Sequence, residues 1–222
     1  MRILPGAEMV GFWSKPHESQ LTTRPFLMIS QPLQRIGRHL AGWALLLLLA
    51  VNVIAAPPAR QPAIRQIDAK RDRTVLQRIE QVRQKLPEKY QHRNNFAWAA
   101  VKIAGVEKTE YFAHSGIQRQ SDVSAEAWAG ISVISLRCRK GRFTVLCVNH
   151  NDEIEGENCW PRHVDTECKI LEDLAARIPL PVARGQVLLY TDLYPCASCR
   201  YVMEQFLAAF SNVTLQVLFR EY

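Results

Sequence analysis

The sequence predicts one layered α/β domain in the C-terminal part of a 222-residue chain. Two observations carry this prediction. In the last third of the chain, segments with helical apolar spacing alternate with short runs rich in β-branched residues, which is typical of a sheet covered by helices. Upstream, two strand-like segments flank Gly105 and predict a hairpin. With 48% hydrophobic and 22% charged residues, the composition excludes a wholly disordered chain and a multi-span membrane protein.

Residues 1–55 have the features of a targeting segment. The uncharged run AGWALLLLLAVNVIAA spans residues 41–56 and follows basic residues that include Arg38. This pattern is typical of a secretory signal, with cleavage predicted after Ala55 and Met28 as an alternative start. The run is shorter than the roughly 20 apolar residues that a spanning helix needs. A signal peptide is therefore predicted, with an uncleaved membrane anchor or a buried core helix as alternatives.

The basic excess of the chain is modest once this segment is set aside. The chain carries 28 basic and 21 acidic residues, a net charge of +7. Five basic and two acidic residues fall in residues 1–55, which leaves +4 for residues 56–222. That charge is compatible with an anionic partner such as a nucleic acid, but it does not identify one.

Residues 56–95 are predicted to be a linker and an amphipathic helix. Pro57 and Pro58 open a Pro-rich stretch. Apolar residues then recur at helical spacing from Ile64 to about Leu86, and Pro87 follows.

Residues 96–222 are predicted to form the domain itself. The predicted strands are 96–103, 109–112, 133–137, 143–148, 186–191 and 213–219. The predicted helices are 125–129, 167–177 and 196–210, and the polar residues 149–162 are predicted to be a loop. Cys138, Cys147 and Cys159 are candidates for disulfide pairing in an oxidising compartment, with their partners left open.

The strongest chemical feature is Pro195-Cys196-Ala197-Ser198-Cys199, at a predicted strand-to-helix junction. Two thiols three positions apart at a helix start face one centre, and the helix dipole favours their thiolate forms, which bind zinc. The same motif is also typical of an exported thiol-disulfide protein. Only 23 residues follow Cys199, which leaves too little chain for a thioredoxin-like fold around it. A zinc site is therefore the favoured interpretation.

A second feature, His163-Val164-Asp165-Thr166-Glu167, lies at another predicted helix start. Zinc deaminases combine H-x-E at one helix start with P-C-x-x-C at the next. Three protein ligands leave one position for water, and a glutamate that is not a ligand moves the protons. Either Asp165 is the ligand and Glu167 the proton shuttle, or His163 is the ligand and Asp165 the shuttle. We favour the first register because residues 167–172, ECKILE, then open the helix in a pattern that resembles a known protein family.

These motifs resemble the nucleotide and nucleic-acid deaminase superfamily, and specifically the toxin-deaminase families of bacterial polymorphic toxin systems. Some of those families have D-x-E in place of H-x-E. The resemblance covers roughly residues 96–219. It rests on AHSG at 113–116, DTE and KIL within 165–171, TDLYPCASC at 191–199 and VMEQF at 202–206.

The resemblance implies a cytidine-deaminase-like three-layer α/β/α sandwich with a mixed sheet, preceded by an N-terminal helix. It also implies a bound Zn²⁺, hydrolytic deamination of a nucleobase in nucleic acid or a nucleotide, secretion as a toxin, and a cognate immunity protein as a partner. A membrane partner is expected only if the N-terminal segment stays uncleaved. The chain ends soon after its last predicted strand, so the sequence leaves the fifth strand of the common deaminase sheet unassigned.

The predicted site follows from these motifs. Glu167 is the expected catalytic residue, and the expected metal ligands are Asp165, Cys196 and Cys199, with His163 as the alternative ligand. The expected substrate-binding residues are His114, Ser115, Trp160 and Tyr194, each with a purely structural role as the alternative.

The charge of the expected ligands affects the chemistry of the site. Asp165 and two thiolates bring three negative charges to a divalent ion, and Arg162, His163 or Arg200 is expected to offset them. The alternative function is a non-catalytic, zinc-stabilised binding domain on the same scaffold. Glu167 distinguishes the two functions, because only catalysis needs it.

Overall fold

A five-stranded mixed sheet organises residues 60–221, the part of the chain that the computed structural model describes. Its strands are β1 (Ala63–Gln66), β2 (Phe96–Ile103), β3 (Glu110–His114), β6 (Gly185–Leu193) and β7 (Val213–Glu221); β4 (Cys147–Val148) and β5 (Trp160–Pro161) form a separate pair. The strand order is β1-β7-β6-β2-β3. β1, β7 and β6 run parallel, and β2 is antiparallel to both of its neighbours. The predicted α/β class with a mixed sheet is confirmed.

Helices cover both faces of this sheet. They are α1 (Arg73–Arg83), α2 (Glu88–Gln91), α3 (Ala125–Ile131), α4 (Thr166–Ala175) and α5 (Ala197–Ala209). Successive residues of a strand point to opposite faces. In β2, Ala97 and Ala99 therefore join the core beneath α4 and α5, whereas Phe96 and Trp98 join the core beneath α1. These three layers match the predicted sandwich, with α1 as the preceding helix.

The fifth strand of the sheet comes from the N-terminal side of the domain. β1 pairs in parallel with β7, with Ile64 opposite Val217. The sequence prediction of a helix starting at Ile64 is therefore wrong, because the helix begins at Arg73. The apolar residues Ile64 and Ile67 fit helical spacing, but four residues are too few to separate that pattern from a strand at the sheet edge.

The segment between α3 and β4 also departs from the prediction. Residues 133–137 are not a strand, and only the end of the predicted strand 143–148 pairs, as β4. The backbone N–H groups of Arg142 and Phe143 instead donate to the side chain of Glu172, which replaces the strand partner. Residues 149–159 form most of the loop that was predicted at 149–162, whereas Trp160 and Pro161 pair with β4 as β5. The Cys147–Cys159 disulfide closes this loop.

The predicted signal peptide or membrane anchor lies outside the described residues. Within residues 60–221, no helix has both the length and the apolar character to cross a membrane.

Candidate metal and catalytic site

The N-termini of two helices meet at the candidate site. Asp165 is the N-cap residue of α4, and Cys196 is the N-cap residue of α5. Neither side chain accepts a capping hydrogen bond from its own helix, so both are available to point away from it. Cys199 lies in the first turn of α5. Because helix N-termini carry partial positive charge, this arrangement favours anionic ligands.

Asp165, Cys196 and Cys199 converge on one point. The Asp165 Oδ2 atom lies 3.4 Å from the Sγ atom of each cysteine, and the two Sγ atoms are 3.5 Å apart. A tetrahedral zinc with bonds of about 2.3 Å to sulfur and about 2.0 Å to oxygen needs separations of roughly 3.5–3.8 Å between its ligand atoms. The donor set and its spacing therefore fit a zinc ion.

His163 is not part of this group. Among the described residues, the histidine, cysteine and carboxylate atoms that lie within 4.8 Å of one another come from Asp165, Cys196 and Cys199. The structure thus favours the register in which Asp165 is the ligand.

Arg162 supplies the nearest positive charge to this anionic group. Its guanidinium lies 3.9 Å from Asp165 Oδ1 and also stacks 3.9 Å from the centre of the Trp160 ring. Arg200, the other arginine considered from the sequence, instead pairs with Asp152 at 2.9 Å. Without a cation, the Cys196 hydrogen bond and burial raise the pKa of the Cys199 thiol.

Glu167 lies next to these ligands and is almost fully buried. The residue is only 2% exposed, and its Oε2 atom lies 3.6 Å from the Cys199 Sγ atom. Burial and, next, the Asp165 charge raise the pKa of this carboxyl group. Two hydroxyl groups oppose that shift: Thr191 donates to Oε1 at 2.8 Å, and Thr166 donates to Oε2 at 2.9 Å.

Asn95 determines the direction of both threonine hydrogen bonds. The backbone N–H of Leu193 donates to Asn95 Oδ1 at 3.3 Å, which fixes the amide orientation because an N–H needs an acceptor. The Asn95 Nδ2 group then donates to the Thr166 and Thr191 hydroxyls at 2.8 and 3.0 Å. Each hydroxyl that accepts from Asn95 still has its hydrogen to donate to Glu167, and for Thr191 the 2.8 Å contact to Glu167 Oε1 is shorter than the 3.2 Å contact to Asn95 Oδ1.

A cleft of about 710 Å³ opens above these groups. It is lined by Asn94, Asn95, Ser115, Gly116, His150, Trp160, Arg162, Val164, Asp165, Glu167, Leu193, Tyr194, Cys196 and Cys199. Three of the four predicted substrate-binding residues, Ser115, Trp160 and Tyr194, thus lie on its wall.

His114 lies behind the cleft wall and has a structural role. Its ring is fully buried, Nδ1 accepts from the Gly116 backbone N–H, and Nε2 therefore carries the hydrogen that is donated to the Arg93 carbonyl at 2.8 Å. Burial lowers the pKa of this imidazole, which favours the neutral form. The Lys169 Nζ group donates to the carbonyls of His114 and Ile117 at 2.9 and 2.8 Å and holds the same loop.

The outer wall of the cleft is a loop tied down at two points. The Cys147–Cys159 disulfide closes its base, and Asp152 accepts from the Ala197 backbone N–H at the start of α5. His150 and Trp160, which line the cleft, pack edge to face with their ring centres 4.9 Å apart.

The sequence of this chain matches a known protein family. The family model described as "Toxin-deaminase: The BURPS668_1122 family of deaminases" matches residues 79–221, more than half of the chain. The chain belongs to this toxin-deaminase family. No curated protein and no solved structure was found to match it. The resemblance drawn from the sequence motifs is confirmed.

The sequence reasoning missed the hydrogen-bond partners of Glu167. The sequence suggested only a turn or a pocket position for Asn95. It showed Thr166 and Thr191 only as members of the two motifs. Asn95 precedes β2, Thr191 lies in β6, and Thr166 begins α4. No local pattern joins these three positions, because they meet only through the pairing of β2 with β6 and the packing of α4.

Proposed function

We propose that this protein is a zinc-dependent hydrolytic deaminase that acts on a nucleobase in nucleic acid or a nucleotide. The observation that carries the proposal is the Glu167 carboxylate, buried beside Asp165, Cys196 and Cys199 and open to the cleft. Burying a carboxylate costs free energy unless its oxygens are hydrogen-bonded and its charge is paired with a cation. Its oxygens accept from two threonine hydroxyl groups and from the Cys199 thiol, and no basic side chain is bonded to them among the described residues.

The ligands and the shuttle have separate roles in this proposal. Asp165, Cys196 and Cys199 hold the metal, and zinc, when bound, supplies the Lewis acidity that makes a water molecule acidic near neutral pH. Glu167 takes up a proton at Oε2, the oxygen nearer to Cys199, and passes it to the leaving amine. The threonine hydroxyls keep its carboxylate in one orientation.

The aromatic wall of the cleft explains how a base is held. Trp160 and Tyr194 present π-faces or edges to the cleft, and stacking of a base on an aromatic ring tolerates different sequences. Arg162 stacks on the Trp160 ring and helps to hold it in place.

The test is sequencing of DNA and RNA from cells that express residues 56–222 without the N-terminal segment. We expect C-to-T or A-to-G changes that disappear with Glu167→Gln, whereas the matched exposed variant Glu157→Gln keeps them. Purified Glu167→Gln should retain zinc at the wild-type level and should be at least as stable as wild type. Zinc binding with unchanged base composition in DNA, RNA and free nucleotide pools would support the non-catalytic binding domain instead.

Export of the protein as a toxin is part of the same proposal. The uncharged run at 41–56 supports a signal, and the Cys147–Cys159 disulfide is a type of bond that forms in oxidising compartments. Membrane attachment would follow only if residues 41–56 are retained. N-terminal sequencing of the exported protein tests this, and an intact residue 1 would refute cleavage. The proposed partner is an immunity protein, which should relieve growth inhibition when it is coexpressed.

A further inference from the structure

A basic loop lies outside the cleft. It spans residues 137–142, RCRKGR, and we define it by its four exposed basic residues: Arg137, Arg139, Lys140 and Arg142. The sequence has no acidic residue between Glu126 and Asp152. Within residues 60–221, none of the four side chains takes part in an ion pair. These charges are therefore not neutralised by the protein itself.

The backbone of the basic loop is held in a defined turn. Both oxygens of Glu172 accept from consecutive backbone N–H groups, those of Arg142 and Phe143, at 2.8 Å each. A Cβ atom at Gly141 would lie 2.5 Å from Glu172 Oε1, so the turn requires glycine at this position. The nearest carboxylate thus shapes the loop and does not pair with its cations.

The basic loop and the cleft lie at opposite ends of α5. The Arg142 guanidinium lies 5.1 Å from the ring centre of Phe210, which follows the last turn of α5. The chain then returns along α5, where Thr144 bonds to Gln205 and the Leu146 N–H donates to Ser198 Oγ at 2.9 Å. Twelve helical residues separate the ends of this path, about 18 Å at 1.5 Å per residue.

An exposed aromatic residue stands between the two ends. Tyr201 is 39% exposed and lies in the N-terminal half of α5. A cationic loop, an exposed aromatic ring and an aromatic cleft in succession are the elements with which proteins bind single-stranded nucleic acid. An acidic protein segment would use the cations but would have no need for this order.

We propose that the basic loop binds the phosphate backbone of a single-stranded polynucleotide whose target base lies in the cleft. This inference rests on the proposed function and narrows its substrate from any nucleotide to a polynucleotide. At the stacked spacing of about 3.4 Å per nucleotide, a strand needs on the order of five nucleotides to span the roughly 18 Å between cleft and loop, and an extended strand needs fewer. Shorter substrates reach the cleft alone.

The test is fluorescence anisotropy with the full chain carrying Glu167→Gln to prevent turnover. The probes are labelled single-stranded 20-mers of DNA and RNA and a 2-mer of each. The loop variant replaces all four basic residues with glutamine. Neutralising four phosphate contacts should reduce the slope of log affinity against log salt by about 2.8, at 0.7 per contact on a single strand. The 2-mer should bind equally to both proteins, because it is too short to reach the basic loop from the cleft.

The matched control removes the same charge from the other face of the sheet. Lys70→Gln, Arg71→Gln, Arg73→Gln and Lys85→Gln alter four exposed residues in and around α1 that form no ion pair within the described residues. This variant should keep the wild-type salt slope on the 20-mers.

Three outcomes would overturn the proposal: no 20-mer binding by the parent protein, an unchanged slope in the loop variant, or equal slopes in the loop and control variants. If the fourfold variant does not fold, Arg139→Gln/Lys140→Gln should reduce the slope by about 1.4. Failure of the proposed function remains distinguishable, because an inactive wild-type enzyme would leave the anisotropy result unaffected.

Discussion

Replacing Thr191 with valine tests how the hydroxyl groups act on Glu167. Valine has a similar volume but no hydroxyl, so the 2.8 Å hydrogen bond to Oε1 is lost and Thr166 remains the other hydroxyl donor. One Asn95 Nδ2 hydrogen also loses its acceptor. A hydrogen bond to a charged group contributes about 1.5–3 kcal/mol. We therefore expect kcat/KM at neutral pH to fall by roughly 10- to 100-fold.

The pH dependence of this loss identifies its cause. Burial and the Asp165 charge already raise the pKa of Glu167, and the hydroxyls oppose them. Removing one hydroxyl raises the pKa further, so less of the ionised base is present at low pH. The deficit should therefore be largest at acidic pH and should shrink as the pH rises.

The assay is kcat/KM from pH 5.5 to 9, on the substrate identified by sequencing, with zinc content measured for every variant. Thr191→Ser keeps a hydroxyl at the same position and should retain near wild-type activity. An equal, pH-independent loss in Thr191→Ser and Thr191→Val, with normal zinc, would show that the position matters for packing and would refute the reasoning. No loss in Thr191→Val would refute it as well.

Three further predictions concern the metal, the buried lysine and the disulfide. Cys199→Ala should lower zinc content, measured by mass spectrometry, to a small fraction of wild type, because an aspartate and one thiolate bind zinc weakly; stoichiometric zinc would argue against the metal site. Burial lowers the pKa of Lys169 to about 7. Between pH 7 and the ordinary pKa of a lysine, the unfolded chain therefore binds more protons than the folded protein. The free energy of unfolding should accordingly rise by about 1 kcal/mol from pH 7 to 8. Urea denaturation of Lys169→Met should lack that rise, and an identical rise in both proteins would contradict the assignment. Cys147→Ser/Cys159→Ser should destabilise the protein by about 3 kcal/mol in thermal or urea unfolding, since the bond closes a 12-residue separation; an unchanged midpoint would show that Asp152 holds the loop alone.

Much of the fold could be predicted because its long elements carry strong local patterns. β2, β6, β7, α4 and α5 all occur within a few residues of their predicted bounds. The weak points were short segments whose structure depends on a distant partner. Residues 63–66 become a strand because they pair with the edge of β7. Residues 133–137 reach the edge strand β3 through the hydrogen bond from the Ser135 N–H to the Phe112 carbonyl, but they do not form a strand beside it.

The candidate site also has parts that the sequence predicted and parts that depend on tertiary packing. The D-x-E and P-C-x-x-C spacings at two predicted helix starts indicated a metal site, and the resemblance to zinc deaminases gave Glu167 the role of proton shuttle. The choice between Asp165 and His163 depended on which side chain reaches the cysteines of another helix. His114 was assigned to the substrate, but the packing of the loop at Gly116 places it behind the wall.

By itself, therefore, the sequence identified the family through the resemblance of its motifs, and its local patterns predicted most helices and strands and the residues able to hold a metal. Only the tertiary structure decided the rest. It joined Asn95, Thr166 and Thr191 into a clamp on Glu167 and paired Cys147 with Cys159. It also set the basic loop at the far end of α5. These features depend on the packing of segments far apart in the chain, because hydrogen bonds, disulfides and charge pairs require side chains to lie within a few ångströms of one another.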